Sequence, residues 1–265
     1  MKSFLLTAAA FGMLALPARA ADLPPAPFYA APVAIPIFTW SGCYVGGTVG
    51  GAWGSSTDNW APNPAGFPVS GSAITGQTSA TLSTSGVTGG GEGGCNYQVS
   101  PWFVVGIEGD WQATGLSGTT NSVLNVAGTT NPWSESWSSH WLATIKGRAG
   151  YAAGPWLFYV TGGGAFANVR FSDAIIFPGS GTVNAFSQST TAFGWTIGGG
   201  VEFAFAPNWT VKAEYLYVDL PGTSFTSVNS SPVLFPNSTI THTHGDVKEN
   251  IARIGVNYRF WQLPP

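Results

Sequence analysis

The sequence predicts an all-β fold, an eight-stranded antiparallel up-and-down transmembrane β-barrel, and three observations carry that expectation. Charged residues make up only 8% of the 265-residue chain, against roughly 25% in an average soluble domain. So few charges could hardly wet the surface of a soluble fold of this size. Aromatics reach 14%, with 12 Trp and 36 Gly, yet beyond the extreme N-terminus no apolar run approaches the roughly 18 residues that a membrane helix needs. Finally, apolar and polar residues alternate with the period of an extended chain. In "KENIARIGVNYRF" (248–260), Ala252, Ile254, Val256, Tyr258 and Phe260 share one face, and Arg253, Gly255, Asn257 and Arg259 the other.

The first 20 residues have the layout of an export signal. Lys2 gives a positive start, an apolar stretch follows over 4–16, and Ala18 and Ala20 supply the small residues a signal peptidase reads. Loss of Lys2 and Arg19 would leave 9 − 2 = 7 bases against 12 acids, a net charge of −5. That acidity argues against nucleic acid as a partner. Residues 21–39, "ADLPPAPFYAAPVAIPIFT", are studded with prolines that remove ladder donors, so an extended periplasmic leader is expected there.

The barrel is expected over 40–260. Alternation yields strands at 40–53, 87–99, 103–116, 137–151, 156–171, 191–205, 209–218 and 247–260, each at least as long as the roughly 9–11 residues a tilted strand needs to cross a bilayer. Tight Pro-containing turns fall at 100–102, 152–155 and 206–208. Long Ser/Thr/Gly/Asn-rich loops fall at 54–86, 117–136, 172–190 and 219–246. Short turns at one end and long loops at the other are the pattern of outer-membrane barrels. The phase agrees across all three turns, since Val99 faces Phe103, Tyr151 faces Trp156 and Phe205 faces Trp209 on the apolar side.

Charges collect on the other face. Glu92, Glu108, Asp110, Glu202 and Glu214 stand against Lys146, Arg148, Lys212, Arg253 and Arg259. Five acids matched by five bases suit a closed interior, where an unpaired charge costs several kcal/mol. Glu202 and Lys212 are expected to pair across their turn, and a base must lie between the opposed Glu92 and Asp110. Two aromatic girdles are expected, with Trp40, Tyr97, Trp102, Tyr151, Trp156, Trp209 and Tyr258 at the turn side and Trp53, Trp111, Trp141, Trp195 and Tyr217 at the loop side.

The export signal, the "ADLPPAP" leader, the first strand "WSGCYVGGTVGGAWG", the second strand "GGGEGGCNYQ" and the closing "RIGVNYRF" resemble the small outer-membrane β-barrel proteins of alphaproteobacteria. These porin-family or surface-antigen barrels are similar in architecture to the OmpA transmembrane domain. The resemblance implies the outer membrane of a Gram-negative cell, with extracellular loops and both termini periplasmic. The implied partners are outer-membrane lipid and lipopolysaccharide, with periplasmic chaperones and the barrel-assembly machinery during biogenesis; the oligomeric state stays open. "VNYRF" resembles that machinery's C-terminal signal, while the tail at 261–265, "WQLPP", departs from the pattern. Cys43 and Cys95 share the outward phase near the turn-side ends of the first two strands, where related barrels tend to carry aromatics. A disulfide between them is one reading, and two apolar thiols facing lipid is the other.

Other motifs carry less. Gly89, Gly91 and Gly94 form a G-x-G-x-x-G, but no helical periodicity follows, so no nucleotide site is expected. In "THTHGD", His242 and His244 project to one side with Asp246 nearby. Without a third ligand fixed by structure they are expected as exposed loop histidines, and neither a metal nor a cofactor is expected. His140, on the polar face beside Ser138 and Ser139, raises a lipid-A-modifying enzyme. That activity needs a nucleophile, base and orienting carboxylate within reach, and no spacing provides them. The expected function is a non-enzymatic structural and surface role in the envelope with the lumen filled by paired charges; the alternative is a narrow passive pore for small hydrophilic solutes.

Overall fold

The computed structural model describes residues 38–62, 74–76, 79–126, 129–177, 182–228 and 239–262. The expected signal peptide and the leader up to residue 37 lie outside the described residues. The strands are β1 (Gly42–Pro62), β2 (Ile74–Gly76), β3 (Ser79–Ser100), β4 (Phe103–Val126), β5 (Thr129–Ala153), β6 (Trp156–Phe177), β7 (Thr182–Ala206), β8 (Trp209–Leu220), β9 (Thr223–Val228), β10 (Thr239–His244) and β11 (Val247–Gln262). Eight of them, β1, β3 to β8 and β11, form an antiparallel ring in sequence order, closed where β1 pairs with β11.

The strands run far past the expected bounds. Most of the segment 117–136 is strand, because β4 and β5 stay paired from Leu116↔Ser139 to Val126↔Thr129. Likewise β6 and β7 stay paired out to Phe177↔Thr182. At the upper level β10 replaces β11 as the neighbour of β1, with Asp58↔His244 in register, and β9 pairs with β10. At the other end β11 reaches Gln262, so the first residues of the expected tail belong to the last strand.

The extensions were hidden because the polarity reverses with height. At the lower level the outward side chains are Val45, Val49, Ile107, Ile145, Val160, Ile197 and Ile254, all exposed, while charges point inward. Higher up the outward positions become Ser55, Thr57, Ser83, Ser85, Ser117, Thr119, Ser187 and Ser189. The inward ones become Leu82, Leu116, Trp137, Leu142, Phe171, Leu216, Val218, Leu220 and Ile251, a buried apolar cluster. A strand whose polarity changes sides partway loses the unbroken alternation that marks it in a sequence. The lumen is therefore layered, and the expectation of a polar interior is corrected at the level of this apolar cluster.

A bulge corrects a second expectation. Pairing of β5 shifts between Ser139 and Leu142 on both sides, and the extra residue moves the inward set from Trp133, Glu135, Trp137 and Ser139 to Leu142, Thr144, Lys146 and Arg148. His140 sits at the switch and points outward, exposed. His242 and His244 also lie on a strand, β10.

Of the expected girdles, Tyr97, Trp102, Tyr151, Trp156, Trp209 and Tyr258 at the turn side and Trp53, Trp111 and Trp195 at the loop side are exposed on the outer wall. Trp141 and Tyr217 are partly exposed. Trp40 departs from the set. It turns inward at 1% exposure, donates from Nε1 to the Gly154 carbonyl at 3.2 Å and packs edge-on against Phe38. With Val104, Ala152, Leu157 and Tyr159 it closes the turn-side end of the lumen.

Cys43 and Cys95 are opposed in the β1–β3 register and joined by a disulfide, with Cα atoms 4.0 Å apart. Denatured, non-reduced protein is expected to yield no labelled thiol. Replacing both cysteines by Ser is expected to lower the unfolding free energy by up to about 4 kcal/mol, the chain-entropy value for a loop of this length, read from urea titrations in detergent.

Candidate functional site

The lower lumen holds nine charged side chains, none more than 7% exposed: Glu92, Glu108, Asp110, Glu202, Glu214, Lys146, Arg148, Lys212 and Arg253. Strand alternation places them on one inner surface, and closure of a small barrel brings opposite walls within reach of a long side chain. Lys146 Nζ lies 3.0 Å from Glu108 and 2.9 Å from Asp110. Lys212 Nζ lies 2.6 Å from Glu92 and 3.1 Å from Glu108. Arg148 joins Glu202 at 2.9 Å and donates to the Tyr44 hydroxyl at 2.6 Å, which in turn donates to Glu108 at 2.7 Å.

Arg253 is the base between the opposed pair Glu92↔Asp110. It donates to Asp110 at 3.1 Å, reaches within 3.8 Å of Glu92, and its Nε donates to Glu214 at 2.7 Å. The expected pair across the 206–208 turn does not form. Glu202 and Lys212 share a register position, but Lys212 crosses the lumen to Glu92 and Glu108 while Glu202 takes Arg148, Thr210 and Asn257. Register does pair Glu108 with Lys146 and Glu214 with Arg253, but the choice made by Lys212 is decided across the lumen, which strand register alone does not reveal. Arg259 stands apart from the network, its guanidinium over the Phe38 and Trp40 rings and bonded to the Thr39 carbonyl.

Glycines in this layer do not leave it hollow. A Cβ on Gly94 would lie 2.7 Å from the Tyr44 hydroxyl oxygen, and one on Gly200 would lie 2.7 Å from that of Tyr159. The two tyrosines fill the room that these glycines leave, and Tyr159 donates to Glu214 at 3.1 Å.

Above the apolar cluster lies a second polar group that sequence reasoning missed. His242 and His244 are 3% and 1% exposed, and Asp58, Glu135 and Asp173 are 0%, 0% and 4% exposed. The expectation of exposed loop histidines is corrected: β10 is a strand, and its alternation turns both rings inward. His244 Nδ1 lies 3.1 Å from Asp58 and 3.6 Å from Glu135, and His242 Nδ1 lies 2.9 Å from Asp173. The His244 ring stacks on Phe171, with centroids 3.6 Å apart. Asp246, the third residue of the sequence motif, is exposed and accepts from the Gly222 amide instead. These groups lie five or more residues beyond the Trp53 and Trp141 positions of the girdle. Burial and the neighbouring carboxylates of Asp58 and Asp173 push Glu135 up to about 10. Burial pushes His244 down to about 4, against the pull of Asp173. The signal for the group was present as alternation in "THTHGD", but its carboxylates come from three distant segments.

An apolar outer wall between two aromatic rings, around a lumen of buried charge, defines an integral outer-membrane β-barrel protein. Comparison with known proteins agrees. The family model described as outer membrane protein beta-barrel domain matches residues 6–260, and the chain belongs to that family. It is 32% identical to the 31 kDa outer-membrane immunogenic protein of Brucella melitensis biotype 1 over 265 residues, covering 98% of this chain and 100% of the relative. It is also 32% identical to the 22 kDa outer membrane protein of Rhizobium leguminosarum bv. viciae over 126 residues, 48% of this chain and 49% of the relative. Among solved structures, the outer membrane protein OprG of Pseudomonas aeruginosa aligns over 83% of this chain and 97% of its own, at 10% identity and a TM-score of 0.46.

Removing one member of the buried network strands its partners. Arg253→Met is expected to lower stability by about 3–5 kcal/mol in urea titrations of the folded barrel. Lys248→Met, on the exposed face, is expected to change it by no more than about 0.5 kcal/mol.

Proposed function

We propose that this protein is a non-conducting, non-enzymatic barrel that stabilises the outer membrane and presents its extended hairpins outside the cell. The observation that carries the reading is the layered lumen. Nine mutually paired charges lie beneath the apolar cluster of Leu82, Leu116, Trp137, Phe171 and Leu220, and together they oppose a continuous water path. His140 points away from the lumen, which removes the base that a lipid-A-modifying site would have used.

In this reading residues 1–20 direct export, 21–39 form a periplasmic leader, and periplasmic chaperones deliver the chain to the barrel-assembly machinery. The exposed Val, Ile and aromatic belt faces lipid and lipopolysaccharide. The Ser/Thr-rich upper hairpins meet water outside, and the two termini lie in the periplasm. The name of the Brucella relative, an immunogenic protein, supports a surface role.

Purified protein in planar bilayers is expected to give no stable channel; steady, reproducible, large conductance steps would restore the pore alternative. An epitope inserted at 127–128, between β4 and β5, is expected to stain on intact cells. One placed within 21–37 is expected to stain only after permeabilisation. The reverse pattern would overturn the orientation.

A further inference from the structure

The upper polar group is built unlike the lower one. In the lower network Glu92, Glu108, Asp110, Glu202 and Glu214 each have a Lys or Arg within 4 Å. In the upper group the carboxylates of Asp58, Glu135 and Asp173 have only the two histidines within that distance among the described residues. Glu135 and Asp173 are opposed directly in the β5–β6 register, where like charges repel. Asp58 and His244 are opposed in the β1–β10 register on the far wall. Two strand pairs from opposite sides of the barrel thus converge on one point.

Hydrogen bonding does not account for the convergence. Neither ring nitrogen of His244, and none of the four carboxylate oxygens of Asp58 and Glu135, has a hydrogen-bond partner among the described residues. All three side chains are fully buried. Two carboxylates cannot donate to each other unless a proton stays on one, and leaving such groups unsatisfied costs about 1–3 kcal/mol each. A cation would satisfy all of them at once. One ligand atom from each of Asp58, Glu135 and His244 lies within 4.8 Å of the others, and the same holds for Asp58, Asp173 and His242. The nitrogen-to-oxygen separations of 3.1 and 3.6 Å about His244 Nδ1 bracket the roughly 3.3 Å edge of a tetrahedron with bonds of about 2.0–2.1 Å.

We propose that Asp58, Glu135 and His244 form a buried binding site for one zinc-class divalent cation in the upper lumen, with Asp173 and His242 beside it through the shared Asp58. An imidazole with two carboxylates favours zinc over magnesium or calcium, which prefer all-oxygen shells. The aromatic rings of Phe171 and Phe225 flank His244, with centroids 3.6 and 5.1 Å away, and exclude bulk water. The apolar cluster separates the site from the lower network. A cleft of about 210 Å³ lined by Phe171, Thr190, Phe193, Pro221 and Thr223 lies beside it, where the upper part of β7 has β6 as its strand neighbour and no β8 partner beyond Trp195. The bound ion would tie β1 and β10 to β5 across the lumen.

The test uses untagged full-length mature chain, folded in detergent, stripped with a chelator and titrated with zinc against a chromogenic competitor. One zinc per barrel is expected, and cobalt(II) in its place is expected to give the visible absorption of a four-coordinate ion. His244→Ala and Asp58→Asn are each expected to weaken binding at least 10- to 100-fold, while His140→Ala leaves it unchanged. Each variant is first shown to be folded by the heat-dependent shift of its band in gel electrophoresis. If a variant does not fold, X-ray absorption of the zinc-loaded natural chain decides, with one imidazole and only nitrogen and oxygen neighbours expected. Failure of the natural chain to hold zinc, or equal affinity in folded H244A and D58N, would overturn the site. Neither result bears on conductance, so the barrel's envelope role is tested separately.

Discussion

A closed barrel of eight strands has so little interior that an inward charge cannot keep its own water, and this constraint organises the rest of the molecule. Glu108 shows the outcome. It touches Lys146 and Arg148 from β5 and Lys212 from β8, and receives the Tyr44 hydroxyl from β1 as well. Such a network couples most of the ring, because Glu92, Glu108, Lys146, Arg148, Glu202, Lys212, Glu214 and Arg253 come from β3, β4, β5, β7, β8 and β11. Interactions of this kind specify one arrangement of walls more than they add net stability.

The second organising feature is the exchange of inside and outside partway up each strand. Below it the wall resembles a membrane protein, apolar without and charged within. Above it the same strands resemble a soluble β-sandwich, with Ser and Thr outward and Leu, Trp and Phe inward. The exchange lets the hairpins stand as ordered β-structure rather than loose loops, since each carries an apolar face to pack. It also isolates the histidine–carboxylate group from the lower charges.

Much of this was legible in the chain itself. Period-two alternation located the membrane-level strands and put all ten predicted lumen charges on the inner face, because the two faces differ so strongly in polarity there. Legibility failed where faces resembled each other. Ser136, Ser138 and Ser139 gave no contrast by which to see the bulge at His140. The long hairpins read as loops because Ser and Thr suit strands and loops alike. Partnership across the lumen was the least accessible level. Lys212 passes over its register neighbour Glu202 for Glu92, a choice set by closure in three dimensions. Asp58, Glu135 and Asp173 sit in stretches with no local sign that they meet.

The Cys43–Cys95 bridge has a consequence for the order in which the barrel closes. It fastens β1 to β3, partners whose bridged cysteines are 52 residues apart in sequence. The remaining seam of β1, to β11, joins Gly42 with Gln262 and Ser55 with Lys248, the most distant partners along the chain. Loop-closure entropy makes such contacts late and slow. With one edge of the first strand covalently fixed, its other edge is the one left to wait for the last strand. The final step of folding then reduces to the zipping of a single, predetermined edge.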